Sequence, residues 1–269
     1  MKQIAICGDS FSVGIGCRDL VNEPYGQLLG KHLDRPVVNL AKGSSTHLSI
    51  LLQAKYIADN WKDNTEFCFV GNTGYDRVDW FPLKAEYNPK KDHPYLTNLD
   101  VNYHQYPPYG DHTYVMHLPN PMGNEPGYKG NMLTENIRGV IEYWENYICK
   151  NRDPGHYYQK FVGEPDDRIK TLYDYGINLM DIRITRMQSA ALMTMAHNIL
   201  NKAGIKHLIF SHEIDLYECS IDRKNLLEVD WFKLANEYPD DLPSMHCNDL
   251  GQKVVYERVL NKLNENGWL

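Results

Sequence analysis

The sequence predicts a three-layer α/β/α fold around a doubly wound parallel sheet, on the strength of three observations. The first 71 residues alternate between short apolar runs and helical stretches. The apolar runs are continuous, as in strands that are covered on both faces. A long amphipathic helix and a further apolar run resume the alternation near the carboxyl terminus. Because parallel strands need crossover helices, this order of elements indicates a parallel sheet between two helical layers.

The first half of the sheet can be assigned in order. Strands are predicted at Gln3–Cys7, Val37–Leu40 and Phe67–Val70, and helices around Tyr25–Leu33 and Leu48–Asn60. A loop that contains Gly, Ser or Asn follows each strand. Since the carboxyl ends of parallel strands meet at one edge of a sheet, these three loops are expected to lie together.

A segment of irregular composition, from about Tyr75 to Gly176, separates the two halves. It is rich in Pro, Tyr, Asn, Gly and His, and only about Met132–Asn151 has the apolar spacing of a helix. Its aromatic content argues against disorder, because disordered segments are poor in aromatic residues. Long irregular connections are usually functional. We therefore expect a single domain over residues 1–269, in which this segment forms a lid or a substrate-binding insertion over the cleft.

The alternation then continues to the end of the chain. A helix is predicted over about Leu179–Ala203, where Gly204 marks its end, and the strand His207–Phe210 follows. A closing helix should end near Asn264. The stretch between residues 212 and 243 has no clear periodicity, and no element is predicted there.

Composition and charge limit the possible partners and compartments. The net charge is −7 and the pI about 5.9, which argues against a broad nucleic-acid or anionic-membrane surface. No apolar run approaches the roughly 20 residues of a membrane span. The apolar stretch before Gly8 is too short for a signal peptide. The six cysteines are scattered without a Cys-x-x-Cys motif, which favours free thiols over disulfides and a cytoplasmic location.

Ser10 is the candidate nucleophile. It follows the first predicted strand in the sequence Gly8-Asp9-Ser10, where glycine permits a sharp turn before a helix. Its hydroxyl is therefore expected at the carboxyl end of a strand, in the crevice where open α/β sheets bind ligands. The alternative is that Ser10 only caps the helix.

The other two loops supply groups suited to acyl transfer. The N–H groups of Ser10 and Gly43 are candidate oxyanion donors, since a glycine lets the backbone approach closely. Asn72 follows the third strand and offers a side-chain N–H. His246, just before the last helix, is the best-placed general base. No metal ion or cofactor is needed for this chemistry.

These blocks resemble those of the SGNH (GDSL-like) hydrolase family. The matching segments, in chain order, are Gly8-Asp9-Ser10, Asn39-Leu40-Ala41-Lys42-Gly43, Gly71-Asn72-Thr73 and His246. They cover the first 74 residues and about the last 65, and leave the middle outside. The resemblance implies ester hydrolysis, with Ser10 as nucleophile, Gly43 and Asn72 in the oxyanion hole, and His246 as base.

Two blocks depart from the family pattern. The third usually reads Gly-x-Asn-Asp, but here the asparagine comes one position early and Thr73 stands in its place, so Thr73 is an alternative hydroxyl donor. The last block usually has an aspartate three residues before the histidine, where this chain has Pro243. Asp241 is the preferred residue to orient His246, with Asp240, a backbone carbonyl or no orienting group at all as alternatives.

The sequence thus favours a serine-dependent esterase that forms an acyl-enzyme. The Tyr, Trp and Asn residues of the insertion favour a polar, ring-bearing substrate such as an acetylated sugar. The alternative is a catalytically silent module of the same fold that binds a carbohydrate or a protein partner.

Overall fold

The computed structural model describes residues 2–42, 45–75, 77–80, 133–136, 174–211, 220–240 and 246–269. Its strands are β1 (Gln3–Cys7), β2 (Val37–Asn39), β3 (Thr65–Val70), β4 (Arg77–Trp80), β5 (Leu133–Asn136), β6 (Lys206–Ser211) and β7 (Leu226–Glu228). Five of them form one parallel sheet in the order β2-β1-β3-β6-β7. The other two, β4 and β5, pair antiparallel with each other.

Helices cover both faces of the parallel sheet. They are α1 (Ser10–Val13), α2 (Tyr25–Leu33), α3 (His47–Asn60), α4 (Ile182–Lys202), α5 (Trp231–Glu237) and α6 (Asp249–Glu265). The pair α3 and α4 packs together on one face, while α2 and α6 pack together on the other. The three-layer, doubly wound fold is therefore confirmed. Among the described residues, no helix combines the length and hydrophobicity needed to cross a bilayer.

The central strand β1 shows why the apolar runs are continuous. Ile4 and Ile6 face the core beneath α2 and α6, while Ala5 and Cys7 face the core beneath α3 and α4. All four side chains are fully buried. The thiol of Cys7 lies 3.9 Å from that of Cys68, and burial raises its pKa. The four described cysteines (Cys7, Cys17, Cys68 and Cys247) are free, as expected.

The sequence-based assignments fail where an element is short or depends on distant pairing. A helix was expected over about Met132–Asn151, but Leu133–Asn136 is a strand that pairs with Arg77–Trp80, a partner that local periodicity cannot reveal. The rest of that helix, and most of the expected lid, fall outside the described residues. The helix expected after Gly8-Asp9-Ser10 is the single turn α1. The strand β7 and the helix α5 were not predicted, because each is too short to show a period.

The strand order makes β1 a switch point in the topology of the sheet. From β1 the chain crosses to β2 on one side, and later to β3 on the other. The helices that follow β1 and β3, which are α2 and α4, lie on opposite faces of the sheet, and open α/β folds bind ligands at the carboxyl edge where the connections part in this way. Helix α1 begins at Ser10, just beyond the carboxyl end of β1.

A pair of buried histidines joins α4 to the amino end of β6. Nδ1 of His197 lies 2.8 Å from Nε2 of His207, and Nδ1 of His207 lies 2.7 Å from the carbonyl oxygen of Ile205. Because a carbonyl only accepts, His207 Nδ1–H donates to it, and His207 Nε2 accepts from His197. Burial lowers the pKa of His207 to about 4 and also lowers the pKa of His197.

This pair predicts a loss of stability in mild acid. In the unfolded chain histidine titrates near its ordinary pKa of about 6.5, so below that pH the unfolded state binds more protons than the folded state. The free energy of unfolding should hold above about pH 6.5 and decrease as the pH falls toward 4, by up to roughly 3 kcal/mol for His207. Urea unfolding at about pH 7.5 and pH 5 measures this. In His207→Gln the free energy of unfolding should depend less on pH. If its pH dependence equals that of the wild type, His207 is not the group responsible.

Candidate active site

Ser10 and His246 meet at the carboxyl edge of the sheet. Nε2 of His246 lies 2.8 Å from Oγ of Ser10, although 236 positions separate them in the chain. Ser10 is the first residue of α1 and is largely buried, and His246 lies in the segment just before α6. The structure thus brings together the two residues that the sequence marked as nucleophile and base.

The turn before Ser10 depends on its glycine and its aspartate. Gly8 has a φ of +150°, and a Cβ there would lie 2.2 Å from the hydroxyl oxygen of Ser12, so only glycine fits. Asp9 caps α1, since its Oδ1 accepts the Phe11 N–H at 3.1 Å. The alternative in which Ser10 caps the helix is therefore wrong, because the preceding residue fills that role.

A buried glutamine holds the peptide groups of this turn. Oε1 of Gln53, on α3, accepts the Gly8 N–H at 2.7 Å, and its Nε2 donates to the Gly8 carbonyl at 3.2 Å. The same Nε2 lies 3.3 Å from the hydroxyl of Ser45. Gln53 therefore ties the loop after β1 to the loop after β2. It was not singled out in the sequence, where a glutamine within a helix carries no signal of such a role.

The loop after β2 is also hydrogen-bonded to the segment that carries Ser10. Asn39 donates its side-chain N–H to the Ser12 carbonyl at 3.0 Å and accepts the Ala41 N–H at 3.0 Å. The Lys42 N–H donates to the Gly8 carbonyl at 3.1 Å. This brings position 42 beside the turn. The next residue, the expected oxyanion donor Gly43, lies outside the described residues.

The loop after β3 contributes buried polar groups. The Thr73 hydroxyl donates to Oδ2 of Asp9 at 2.8 Å, and the Thr73 N–H points at Nε2 of His47 at 3.5 Å. A hydroxyl has one proton to donate, so in this arrangement the Thr73 proton serves Asp9 rather than an oxyanion. Asn72 beside it is fully buried. The oxyanion roles of Asn72 and Thr73 stay predictions.

Aromatic rings pack behind His246. The His246 ring lies against Phe11 with centroids 4.7 Å apart, and Phe11 stacks on the buried Trp231 at 5.2 Å. The Asp240 N–H donates to the His246 carbonyl at 3.2 Å, next to an antiparallel bridge between Pro239 and Cys247. This pairing sets Asp240 opposite His246, whereas Asp241 and Pro243 lie outside the described residues.

Comparison with known proteins adds little to this geometry. No family model matches the sequence, and no curated protein matches it. One solved structure that matches is a candidate lipolytic protein of the G-D-S-L family from Desulfitobacterium hafniense, with a TM-score of 0.33 and 12% sequence identity over 98% of this chain and 100% of the other. The fold assignment therefore stands on the strand order and the helical layers themselves.

The bond between Thr73 and Asp9 predicts a structural cost when the hydroxyl is removed. Thr73→Val keeps the shape but takes away a donor to a buried carboxylate, which should lower the free energy of unfolding by about 1–3 kcal/mol. Thr73→Ser retains the hydroxyl and should lose less. Equilibrium denaturation of the three proteins measures the difference. Equal losses in the valine and serine variants would show that the bond contributes nothing.

Proposed function

We propose that this protein is a serine-dependent ester hydrolase that works through an acyl-enzyme. The observation that carries the proposal is the 2.8 Å contact between Ser10 Oγ and His246 Nε2 at the carboxyl edge of the sheet. A hydroxyl is a weak nucleophile until a neighbouring base accepts its proton. An imidazole within hydrogen-bond distance is suited to that task at neutral pH.

The reaction would run in two halves. In the first, Ser10 Oγ bonds to the ester carbonyl carbon as His246 Nε2 takes its proton. The tetrahedral intermediate then collapses, the alcohol leaves with that proton, and the acyl group stays on Ser10. In the second half, water gives a proton to His246 as its oxygen bonds to the acyl carbon. The bond between Ser10 Oγ and that carbon then breaks, His246 returns the proton to Oγ, and the acid is released.

One donor for the oxyanion is supported by the local geometry. Ser10 is the first residue of α1, so its N–H has no acceptor within the helix. Within the described part of the chain, this N–H makes no hydrogen bond. It is therefore free to stabilise negative charge on a substrate oxygen. Gly43 and Asn72 are proposed to complete the oxyanion hole.

For the substrate, we propose a polar ester such as an O-acetylated sugar. Support comes from the many Tyr, Trp and Asn residues between about Tyr75 and Gly176, since aromatic rings pack against sugar rings while amides bind hydroxyls. A second candidate function is binding without hydrolysis, to a carbohydrate or a protein partner. The observation that favours it is the Thr73 hydroxyl, which is engaged by Asp9 at the position where the family pattern has an asparagine.

The nucleophile and the base are tested together. With a short chromogenic ester, Ser10→Ala and His246→Ala should each remove most of the activity, and the double variant should lose little more than either one, because the two groups act as a unit. A fluorophosphonate probe should add its mass to Ser10 and to no site in Ser10→Ala. Hydrolysis that survives Ser10→Ala would reject the mechanism, while a wild type without hydrolysis or labelling would favour the binding module.

A second test concerns the group that orients His246. If Asp241 holds the imidazole, Asp241→Asn should lower kcat severely, by up to the order of 10⁴. Asp240→Asn is the matched comparison, since Asp240 pairs with His246 through its backbone N–H. If Asp241 holds the imidazole, Asp240→Asn should change kcat little. The reverse result would transfer the role to Asp240. If both variants are nearly silent, neither carboxylate orients His246, which leaves a backbone carbonyl or a Ser-His dyad without an orienting group.

A further inference from the structure

One buried side chain connects the nucleophile segment to the base segment. Gln252 lies in the first turns of α6 and is fully buried. Its Nε2 donates to the Phe11 carbonyl at 2.9 Å and lies 3.8 Å from Sγ of Cys247, and its Oε1 accepts the Tyr25 N–H at 3.1 Å. Phe11 follows Ser10 directly, and Cys247 follows His246. A single amide therefore joins the starts of α1 and α2 to the segment that carries the base.

The amide chemistry suits this junction. A carboxamide presents an acceptor and two donors in one plane, so it can bind an N–H and a carbonyl on different segments at the same time. An apolar side chain of the same length could do neither. Because the site excludes water, each lost bond would also leave a buried backbone group unsatisfied.

The short distance between Ser10 and His246 requires that their two segments be held together. Ser10 and His246 come from opposite ends of the chain and share no secondary structure element. Their segments also approach closely elsewhere, since a Cβ on Gly16, where φ is +104°, would lie 2.4 Å from the Cys247 carbonyl oxygen. A small sliding of α6 along the sheet would therefore shift the imidazole relative to Ser10 Oγ. Misplacement of about 1 Å can cost about a hundredfold in rate.

We propose that Gln252 is a positioning residue that sets the distance between Ser10 Oγ and His246 Nε2. It acts through its bond to the Phe11 carbonyl, which fixes α1 against α6, and through its contact with Cys247, which fixes the base segment. This proposal rests on the proposed function, in which that pair reacts. Gln53 binds the same nucleophile segment from the opposite helical layer, at Gly8, but makes no contact with the base segment among the described residues.

The main test compares two buried amides. Gln252→Met keeps the size of the side chain and removes its hydrogen bonds. The matched control is Asn225→Leu, which removes a buried amide that donates to the His207 carbonyl at 2.7 Å, toward the amino end of β6. Both variants should lose stability, since each leaves a buried carbonyl without that donor. With a short chromogenic ester, only Gln252→Met should lower kcat, by at least about tenfold with KM within about twofold.

A second measurement follows the hydrogen bond between His246 and Ser10 by NMR and does not require catalytic activity. The ¹⁵N resonance of His246 Nε2, recorded at alkaline pH where the imidazole is neutral, reports the bond that it accepts from Ser10. In Gln252→Met this resonance should move toward its position in Ser10→Ala, whereas Asn225→Leu should retain the wild-type position. If Gln252→Met does not fold, Gln252→Asn, which draws the amide back by one methylene, replaces it in both measurements.

The outcomes separate the two proposals. A wild type that hydrolyses no ester would overturn the proposed function, and the ¹⁵N comparison would still decide whether Gln252 positions the base. A Gln252 variant whose kcat and Nε2 resonance both match those of Asn225→Leu would overturn the positioning role. A fall in kcat together with the shifted resonance would establish it.

Discussion

The turn at Gly8 is the constraint on which the site depends. With a φ of +150°, this residue reverses the chain between β1 and α1, and the Ser12 hydroxyl occupies the space that a Cβ would need. Gly71, on the neighbouring strand end, faces the same hydroxyl, since a Cβ there would also lie 2.2 Å from it. The first and third loops thus approach each other so closely that neither glycine tolerates a side chain. This close approach brings Asp9 within reach of Thr73.

The polar groups buried around this turn form hydrogen bonds with one another, and these bonds offset the free-energy cost of removing the groups from water. Asp9, Thr73, His47 and Gln53 are all buried, and each has a hydrogen-bond partner in a different loop or helix. Buried polar networks of this kind are favourable only when their members are satisfied. The same bonds that hold the fold therefore fix the loops around Ser10, so stability and the geometry of the site are coupled.

The sequence predicted the parts of this structure that depend on local patterns. Continuous apolar runs located β1 and β3, and helical spacing located α2 with the bounds that the structure has. The order of short blocks identified Ser10 and His246, which the fold brings into contact. Local patterns could not reveal β5, because its partner lies more than 50 positions away. They also could not reveal the roles of the buried Gln53 and Gln252, because the sequence does not distinguish a buried polar residue of an amphipathic helix from one that faces solvent.

The bonding of residues 8–11 suits Ser10 to the role that we propose for it. Gly8 is held through both peptide groups by Gln53, Asp9 binds Thr73, and the Phe11 carbonyl binds Gln252. Ser10 lies between them, and in the described part of the chain its N–H makes no bond and its hydroxyl meets only His246. The neighbouring residues therefore hold this segment rigid, while the N–H and the hydroxyl of Ser10 remain available for the proposed reaction. Such preorganisation lets a site stabilise developing charge without first rearranging its own bonds.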